Sequence, residues 1–265
     1  MFMRDLMFIL DGQDALSGVS VTHFHSTNPR FNQLLDSSVH SAPVVRTSEV
    51  DENNDGLPDY LAFTISVALP QNDEINRLRM AFFFRYDVDN VARLTMQTAV
   101  ILDFSTSSSA SALAVDGDLR INQRDLLYPY LDNYRYNRPV LNHTLPIAQI
   151  KAGSLTWESM LARYSDRNIR TSFQPSTPPS WTSPRAINQP FTVTGKIRYV
   201  PETFSYRPGV MEVLKAAWIQ YLAYFALVAT VCRYTFEWAV KSGVVPSHVI
   251  VDALPKQDGF RGHVF

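Results

Sequence analysis

The 265-residue chain contains a single cysteine, Cys232. An intramolecular disulfide and a zinc site built from cysteine pairs are therefore excluded. Glycine is also scarce, with 10 residues, and the chain contains no glycine-rich phosphate loop, no dinucleotide-binding fingerprint, no HExxH and no GxSxG. The sequence accordingly predicts no catalytic residue and no small-molecule substrate.

Neither sign of charge is in excess. Lys and Arg total 24 and Asp and Glu total 25, which gives a net charge of −1. Nucleic-acid-binding proteins normally carry a basic excess, so this balance argues against a nucleic-acid partner. Hydrophobic residues make up 46% of the chain, which is enough for a folded core and excludes global disorder.

One long apolar run lies near the C-terminus. The 17 residues from Ala216 to Cys232 carry no charge. The length of this run is close to the lower limit for a helix that crosses a bilayer core of ~30 Å. The alternative is a buried helix of a globular protein, but such helices usually keep a polar face. We therefore predict a transmembrane helix at 209–242 and a cytosolic tail at 243–265.

Four side chains of this segment are predicted to lie at the membrane interfaces: Lys215, Trp218, Arg233 and Trp238. The two tryptophans are 20 residues apart, or roughly 30 Å along an α-helix, and that spacing suits aromatic belts at the two faces. Lys215 can extend its amine to the headgroups. The basic residues on the two sides of the span do not decide its orientation.

A second indication of topology is Asn142, in the only N-glycosylation sequon of the chain. Asn142 would be glycosylated only if the preceding domain faced the lumen or the cell exterior. Residues 1–11 do not have the apolar core of a signal peptide. Either the chain is therefore missing an N-terminal segment that delivers the domain to the lumenal side, or the domain is cytosolic and the span is a C-terminal anchor.

Residues 1–208 have a mainly β pattern. Short strand-like runs with turn signals between them predict a β-sandwich-like extracytoplasmic domain. Hairpins are expected at Asp89-Asn90 and at Asp116-Gly117. The strand-like runs are Leu6–Leu10, Val19–Phe24, Val44–Val50, Tyr60–Leu69, Leu78–Val88, Val91–Phe104 and Phe191–Tyr206, the last interrupted by Pro201.

Two segments of this domain depart from the β pattern. Thr156–Asp166 has apolar residues at helical spacing, which predicts one short amphipathic helix packed on the sheet. Residues 174–190 carry five prolines, which predict an extended loop that Trp181 attaches to the sheet. The helix face is predicted to consist of Trp157, Met160, Leu161 and Tyr164.

The loop at 51–59 has the pattern D-x-N-x-D-G-x-x-D. Calcium takes 6–8 oxygen ligands, and alternate positions of a tight loop can supply them. Ala62 stands where an EF-hand has glutamate, so the pattern is closer to the calcium-binding hairpin loops of β-proteins. Ordinary turn chemistry is the alternative. The predicted calcium ligands are Asp51, Asn53, Asp55, Asp59 and the carbonyl of Leu57.

His23 and His25 are predicted to share one face of a strand. A metal site would need a third ligand, and none is evident nearby. We therefore interpret them as a surface pair.

Several stretches, in order, resemble the transmembrane protein 231 family. They are DENNDGLPDYLAF, ARLTMQTAVILDFS, VDGDLRINQ, the NHT sequon, ARYSDRNIRT and PFTVTGKIRYVPETFSYRPGVMEVLKAAWIQYL. The resemblance covers nearly all of residues 1–240. It implies a two-span protein with both ends in the cytosol and a large β-rich domain outside, so an N-terminal span is expected to be missing from this chain.

The resemblance also implies a function. The family is a non-enzymatic component of the ciliary transition zone and works with B9-domain, tectonic and Meckel-syndrome proteins. Their complex limits exchange between ciliary and plasma membranes and supports ciliogenesis and Hedgehog signalling. We therefore expect a membrane-anchored scaffold in the ciliary membrane. The alternative from the residues is a calcium-dependent β-sandwich receptor or lectin-like module, and an anchored enzyme is disfavoured.

Overall fold

A computed structural model describes residues 1–32, 41–89, 91–129, 131–141, 157–186 and 188–245. The chain divides into two compact units, Met1–Arg207 and Pro208–Phe265. The first unit is mainly β, which confirms the predicted fold class, and the described part of the second contains one long apolar helix.

Among the described residues, the first unit contains all the strands and two of the three helices. In chain order, the described elements are β1 (Phe2–Asp14), β2 (Ser20–Ser26), α1 (Pro29–Asn32), β3 (Pro43–Val50), β4 (Tyr60–Val67), β5 (Asp73–Asp89), β6 (Arg93–Ala110), β7 (Ala112–Gln123), β8 (Asp132–Asn133), α2 (Trp157–Ser165), β9 (Ile169–Pro175), β10 (Ser180–Thr182), β11 (Phe191–Tyr199) and α3 (Val210–Lys241).

These strands form two sheets. The first has the order β2-β1-β5-β6-β8, and the second has the order β10-β7-β11-β4-β3, with β9 also paired to β7. In the second sheet, β11 is antiparallel to β4 on one side and parallel to β7 on the other. The last strand of the first unit therefore occupies the middle of its sheet.

Alternation of apolar and polar residues builds the core between the sheets. Strand β4 buries every second residue from Leu61 to Val67, as expected of a strand with one face toward a core. From the first sheet, Phe82 meets Phe63 with 4.6 Å between the ring centroids. Buried residues of both sheets thus belong to one apolar cluster.

A second apolar layer covers the outer face of the first sheet. Trp157, Met160 and Tyr164 of α2 are buried against β1 and β6 residues, including Met7 and Ala99. This confirms that the predicted helix packs on a sheet. Leu161 is 41% exposed, so its predicted place on the packed face is wrong: on the helical wheel it lies beyond Trp157, at the edge of the arc that the buried positions form.

The Tyr164 hydroxyl connects three elements at the edge of the two sheets. It lies 2.6 Å from the hydroxyl of Thr98 on β6 and 3.1 Å from that of Thr171 on β9. It accepts hydrogen bonds from the backbone N–H groups of Ala99 and Thr171, at 3.2 and 2.9 Å. One buried hydroxyl therefore ties α2 to a strand of each sheet.

The predicted hairpin at Asp116-Gly117 is wrong. Strand β7 runs through both residues, and the chain passes from the first sheet to the second at Ser111. Glycine is required at 117 because an added Cβ would lie 2.4 Å from the Phe173 ring and 2.5 Å from the Gln174 carbonyl oxygen. A glycine occurs at 117 because β9 approaches β7 closely there. The local sequence does not distinguish such a glycine from one that forms a turn.

The interpretation of His23 as part of a surface pair is also wrong. His23 is only 6% exposed. Its Nε2 lies 2.7 Å from the Asp73 carboxylate, and its Nδ1 lies 2.8 Å from the Ser41 hydroxyl. Position 73 is far away in the sequence, so the buried partner could not be recognised from the local pattern.

The C-terminal part of the domain differs in detail from the prediction. Strand β11 ends at Tyr199, two residues before Pro201, and does not continue to Tyr206. Within residues 174–190, the short strand β10 pairs with β7, and Trp181 lies opposite Leu113 and packs on the core. The expectation that Trp181 attaches this segment to the sheet is confirmed.

Tyr164→Phe is expected to lower the free energy of unfolding by about 1–3 kcal/mol, because it removes the buried acceptor of the Ala99 amide and one of the two acceptors of the Thr171 amide, the other being the Thr98 hydroxyl. Urea denaturation of the purified protein measures the change. Tyr134→Phe removes a hydroxyl from a side chain that is 59% exposed and should leave stability unchanged. Equal effects of the two substitutions would contradict this role for Tyr164.

Candidate functional sites

The acidic loop at 51–59 joins two antiparallel strands. It connects β3 to β4, and the Asp59 N–H donates to the Val50 carbonyl oxygen at 2.8 Å where the hairpin closes. Asn54 and Gly56 have positive φ values of 58° and 86°, which reverse the chain within a few residues. The sequence pattern therefore falls on a hairpin loop, as in the resemblance to β-protein calcium loops.

The loop's side chains mostly accept hydrogen bonds from its own backbone. Asp51 Oδ2 accepts from the Gly56 N–H at 2.9 Å, and Asp55 Oδ1 accepts from the Leu57 N–H at 2.8 Å. Asn53 Oδ1 accepts from the Asp55 N–H, also at 2.8 Å. These contacts draw the predicted ligand residues into one turn.

Three observations bear on whether this loop can bind a cation. Asp51 Oδ1 is buried and accepts no hydrogen bond from any described residue, so it has capacity for a further partner. The Asn53 amide nitrogen lies 3.0 Å from Asp55 Oδ2 and 3.5 Å from Asp59 Oδ1, between the two carboxylates. Among the described residues, no group of three or more His, Cys, Asp or Glu side chains is arranged to hold a metal ion. Calcium at this loop stays a prediction.

A half-buried pair of side chains, Tyr199 and Glu49, fixes the base of the hairpin. The Tyr199 hydroxyl donates to Glu49 Oε1 at 2.8 Å, and the Tyr199 N–H donates to the Asp59 carbonyl oxygen at 2.7 Å. Burial raises the pKa of the Tyr199 phenol well above its ordinary value, and the bond to Glu49 raises it further. The phenol therefore stays protonated and holds β11 against both ends of the loop.

The predicted interface residues all lie on α3. This helix is long and apolar enough to cross a membrane. Lys215, Trp218, Arg233 and Trp238 are exposed, and Arg233 forms an ion pair with Glu237, with 3.2 Å between Nε and Oε1. Unlike the strands of the first unit, α3 has no buried residue on any face. Its surroundings must therefore accept an apolar surface all round.

Two other predictions fall partly or wholly outside the described residues. Asn142 lies among residues 142–156, and most of the predicted tail lies in 246–265. Glycosylation and the cytosolic tail therefore stay predictions.

A further cluster was missed by the sequence analysis. Residues from the segment after β8 and from the end of α2 line a cavity of about 640 Å³. Its arginines are spread over two separate stretches, and one of these, ARYSDRNIRT, was noted only as a stretch that carries the family resemblance. Arg163 lies on α2 and Arg167 lies two residues beyond its end, so no helical spacing indicates that they share a site. The charged side chains of the cavity are Arg135, Arg138, Arg163, Asp166 and Arg167.

If the 51–59 loop binds calcium, millimolar calcium should raise the melting temperature of the protein, because only the folded state assembles the site. Asp55→Ala should abolish that rise. Asp87→Ala removes a carboxylate outside the loop and should leave the rise unchanged. Differential scanning fluorimetry measures all three proteins, and a flat response of the parent protein would contradict the calcium prediction.

An aspartate in the middle of α3 should prevent stable membrane insertion. A charge at the centre of a span costs about 2.5–3.5 kcal/mol, and the cost decreases toward the ends. Ala223→Asp is therefore expected to move the protein from the carbonate-resistant membrane pellet to the soluble or aggregated fraction. Ala239→Asp, near the end of the helix, should stay in the pellet. Retention of both variants would show that α3 does not span.

Comparison with known proteins identifies relatives over most of the chain. The chain is 35% identical to transmembrane protein 231 of Gallus gallus over 198 residues, which are 75% of this chain and 60% of that relative. It is 32% identical to the Bos taurus protein and 31% identical to the Homo sapiens protein, each match covering 90% of this chain and 73% of the relative. The chain thus spans less than two thirds of the chicken relative's length.

No solved structure matches the chain. A family model described as transmembrane protein 231 matches residues 1–248, which include the β domain, the hairpin loop and α3. The chain therefore belongs to the transmembrane protein 231 family.

Proposed function

We propose that this protein is a non-enzymatic, membrane-anchored scaffold of the ciliary transition zone complex. In this role it contributes to the diffusion barrier between ciliary and plasma membranes, to ciliogenesis and to Hedgehog signalling. The observation that carries the proposal is family membership over residues 1–248, which extends from the β domain through the apolar helix α3. The family is named for a transmembrane protein and not for an activity.

The architecture supports a scaffold in physical terms. The sandwich buries its apolar residues between the two sheets, while α3 exposes apolar residues on every side. The free energy of such a chain is lowest when α3 lies in lipid, away from water, and the folded domain stays in the aqueous phase. One helix would then hold a rigid β domain beside the bilayer, where it can be met by other membrane proteins.

The proposed partners are the B9-domain, tectonic and Meckel-syndrome proteins of the transition zone. We place the β domain outside the cytosol, Asn142 as a glycosylation site and the tail at 243–265 in the cytosol. The proline-rich segment is the proposed contact surface, because prolines limit the conformations that partner binding must restrict. Within it, β10 is an edge strand that pairs with β7 on one side only.

The test of this function is localisation of the tagged full-length protein together with an axonemal marker. We expect signal concentrated at the ciliary base. The Ala223→Asp variant, which loses its span, should lose that concentration, and Ala239→Asp should keep it. An even distribution of the parent protein over the plasma membrane would contradict the transition-zone role.

One observation favours a second candidate, a calcium-dependent receptor or lectin-like module. The 51–59 loop contains four carboxylates and no Lys or Arg, and Asp51 Oδ1 is a buried oxygen with no partner among the described residues. A bound cation would satisfy this oxygen and could present a free coordination position to a ligand. A protein spread over the plasma membrane whose stability depends on calcium would favour this candidate.

A further inference from the structure

The arginine-lined cavity has the size of a binding site for a small molecule. Its volume of about 640 Å³ lies within the ~300–1,000 Å³ typical of ligand pockets. One wall comes from the segment after β8, with Tyr136 and Pro139, and the other comes from the end of α2, with Tyr164. The aromatic and proline residues give it apolar walls between the charged groups.

Positive charge dominates the cavity. Four arginines and one acid, Asp166, contribute to its lining. None of the ion pairs formed by the described residues includes Arg135, Arg138 or Arg167. Elsewhere in the domain arginines commonly lie beside carboxylates, as Arg77 does with Asp103 at 2.8 Å. The cavity therefore concentrates cations that the described parts of the protein do not neutralise.

Arg167 is buried and held in position. It is 9% exposed, and its Nη1 donates to the Gln97 carbonyl oxygen at 2.6 Å. The central carbon of its guanidinium lies 5.5 Å from the ring centroids of both Tyr136 and Tyr164. Tyr164 is itself fixed by its hydroxyl at the junction of the two sheets. The arginine is thus oriented before any ligand arrives, which reduces the entropy lost on binding.

The guanidinium keeps unused hydrogen-bonding capacity. It carries five N–H donors, and its one hydrogen bond within the described structure uses one nitrogen. Burial is the largest influence on the pKa of Arg167 and lowers it. Tyr164 opposes this effect, the positive charge of Arg138 lowers the pKa by a smaller amount than Tyr164 raises it, and Tyr136 has the smallest, raising effect. An anion in the cavity would favour the charged form of the Arg167 side chain and so counteract the lowering of its pKa by burial and by Arg138.

We propose that this cavity binds a sugar-sized ligand that carries phosphate or sulfate esters. Arginine forks match the oxygen geometry of these groups, and several arginines around one cavity can contact more than one ester. Arg167 forms the buried end of the site, and Arg135, Arg138 and Arg163 contact the ligand nearer the opening. The ligand is either free in solution or the headgroup of a lipid, because both present the same ester oxygens.

The test uses the full-length protein in detergent micelles. Isothermal titration calorimetry measures binding of inositol hexakisphosphate and of sucrose octasulfate, and native mass spectrometry measures binding of sulfatide, a galactosyl lipid that carries a sulfate ester. Binding of a soluble probe identifies a free ligand as the source, and binding of the lipid alone identifies a headgroup. Absence of binding in every arm would overturn the proposal.

Arg138→Gln distinguishes a built site from general surface charge. Arg138 is exposed and lines the cavity, so its loss should leave the melting temperature unchanged and weaken binding about tenfold, the value of one charged hydrogen bond. Arg167→Lys keeps the charge but loses the fork, and it should weaken binding at least as much. Arg46→Gln makes the same charge change on β3, outside the cavity, and should leave affinity unchanged. Equal losses for Arg138→Gln and Arg46→Gln would contradict the site.

Discussion

The fold depends on one buried hydroxyl, that of Tyr164, which joins α2 to β6 of one sheet and β9 of the other. The residues of this domain include no cysteine, so no disulfide can hold the sheets together. Apolar packing supplies most of the favourable free energy, but it is non-directional. The hydrogen bonds of Tyr164, Thr98 and Thr171 supply direction, because a shifted sheet would leave their buried polar groups unsatisfied. The same tyrosine presents its ring to Arg167, so the junction also shapes the arginine-lined cavity.

The hydrophobic residues of the chain lie in two different environments, the core of the sandwich and the exposed surface of α3. In the sandwich they alternate with polar residues and pack against one another, as in β4. In α3 they follow one another without a polar face and remain exposed. The near-neutral overall composition conceals this division, because the charges of the β domain balance each other locally. Arg198 with Asp116, and Arg79 with Asp11, are examples of such balance. The cavity around Arg167 is the exception, and that contrast is what makes it a candidate site.

Features set by local sequence were predictable, and features set by distant contacts were not. Apolar alternation located most strands, and an uncharged run located α3, because both patterns are expressed within a few residues. The loop at 51–59 was placed on a hairpin for the same reason. Gly117 was misread because its neighbour, Phe173, lies on another strand. His23 was misread because its partner is Asp73. The cavity was not predicted because its two walls come from segments that are distant in the sequence and lie close together only in the folded domain.

The position of β11 has a consequence for how the protein is made. This strand is the last of the domain to leave the ribosome, yet it lies between β7 and β4. Until it is synthesised, the second sheet exists as two halves: β3 with β4, and β7 with β9 and β10. Each half has an unpaired edge that can join the wrong strand. The domain therefore completes its fold only when synthesis has reached Tyr199, and α3 begins eleven residues later at Val210. Maturation of the sandwich and delivery of the helix to the membrane must then occur almost together, and a nascent chain halted before residue 191 would display both open edges to its neighbours.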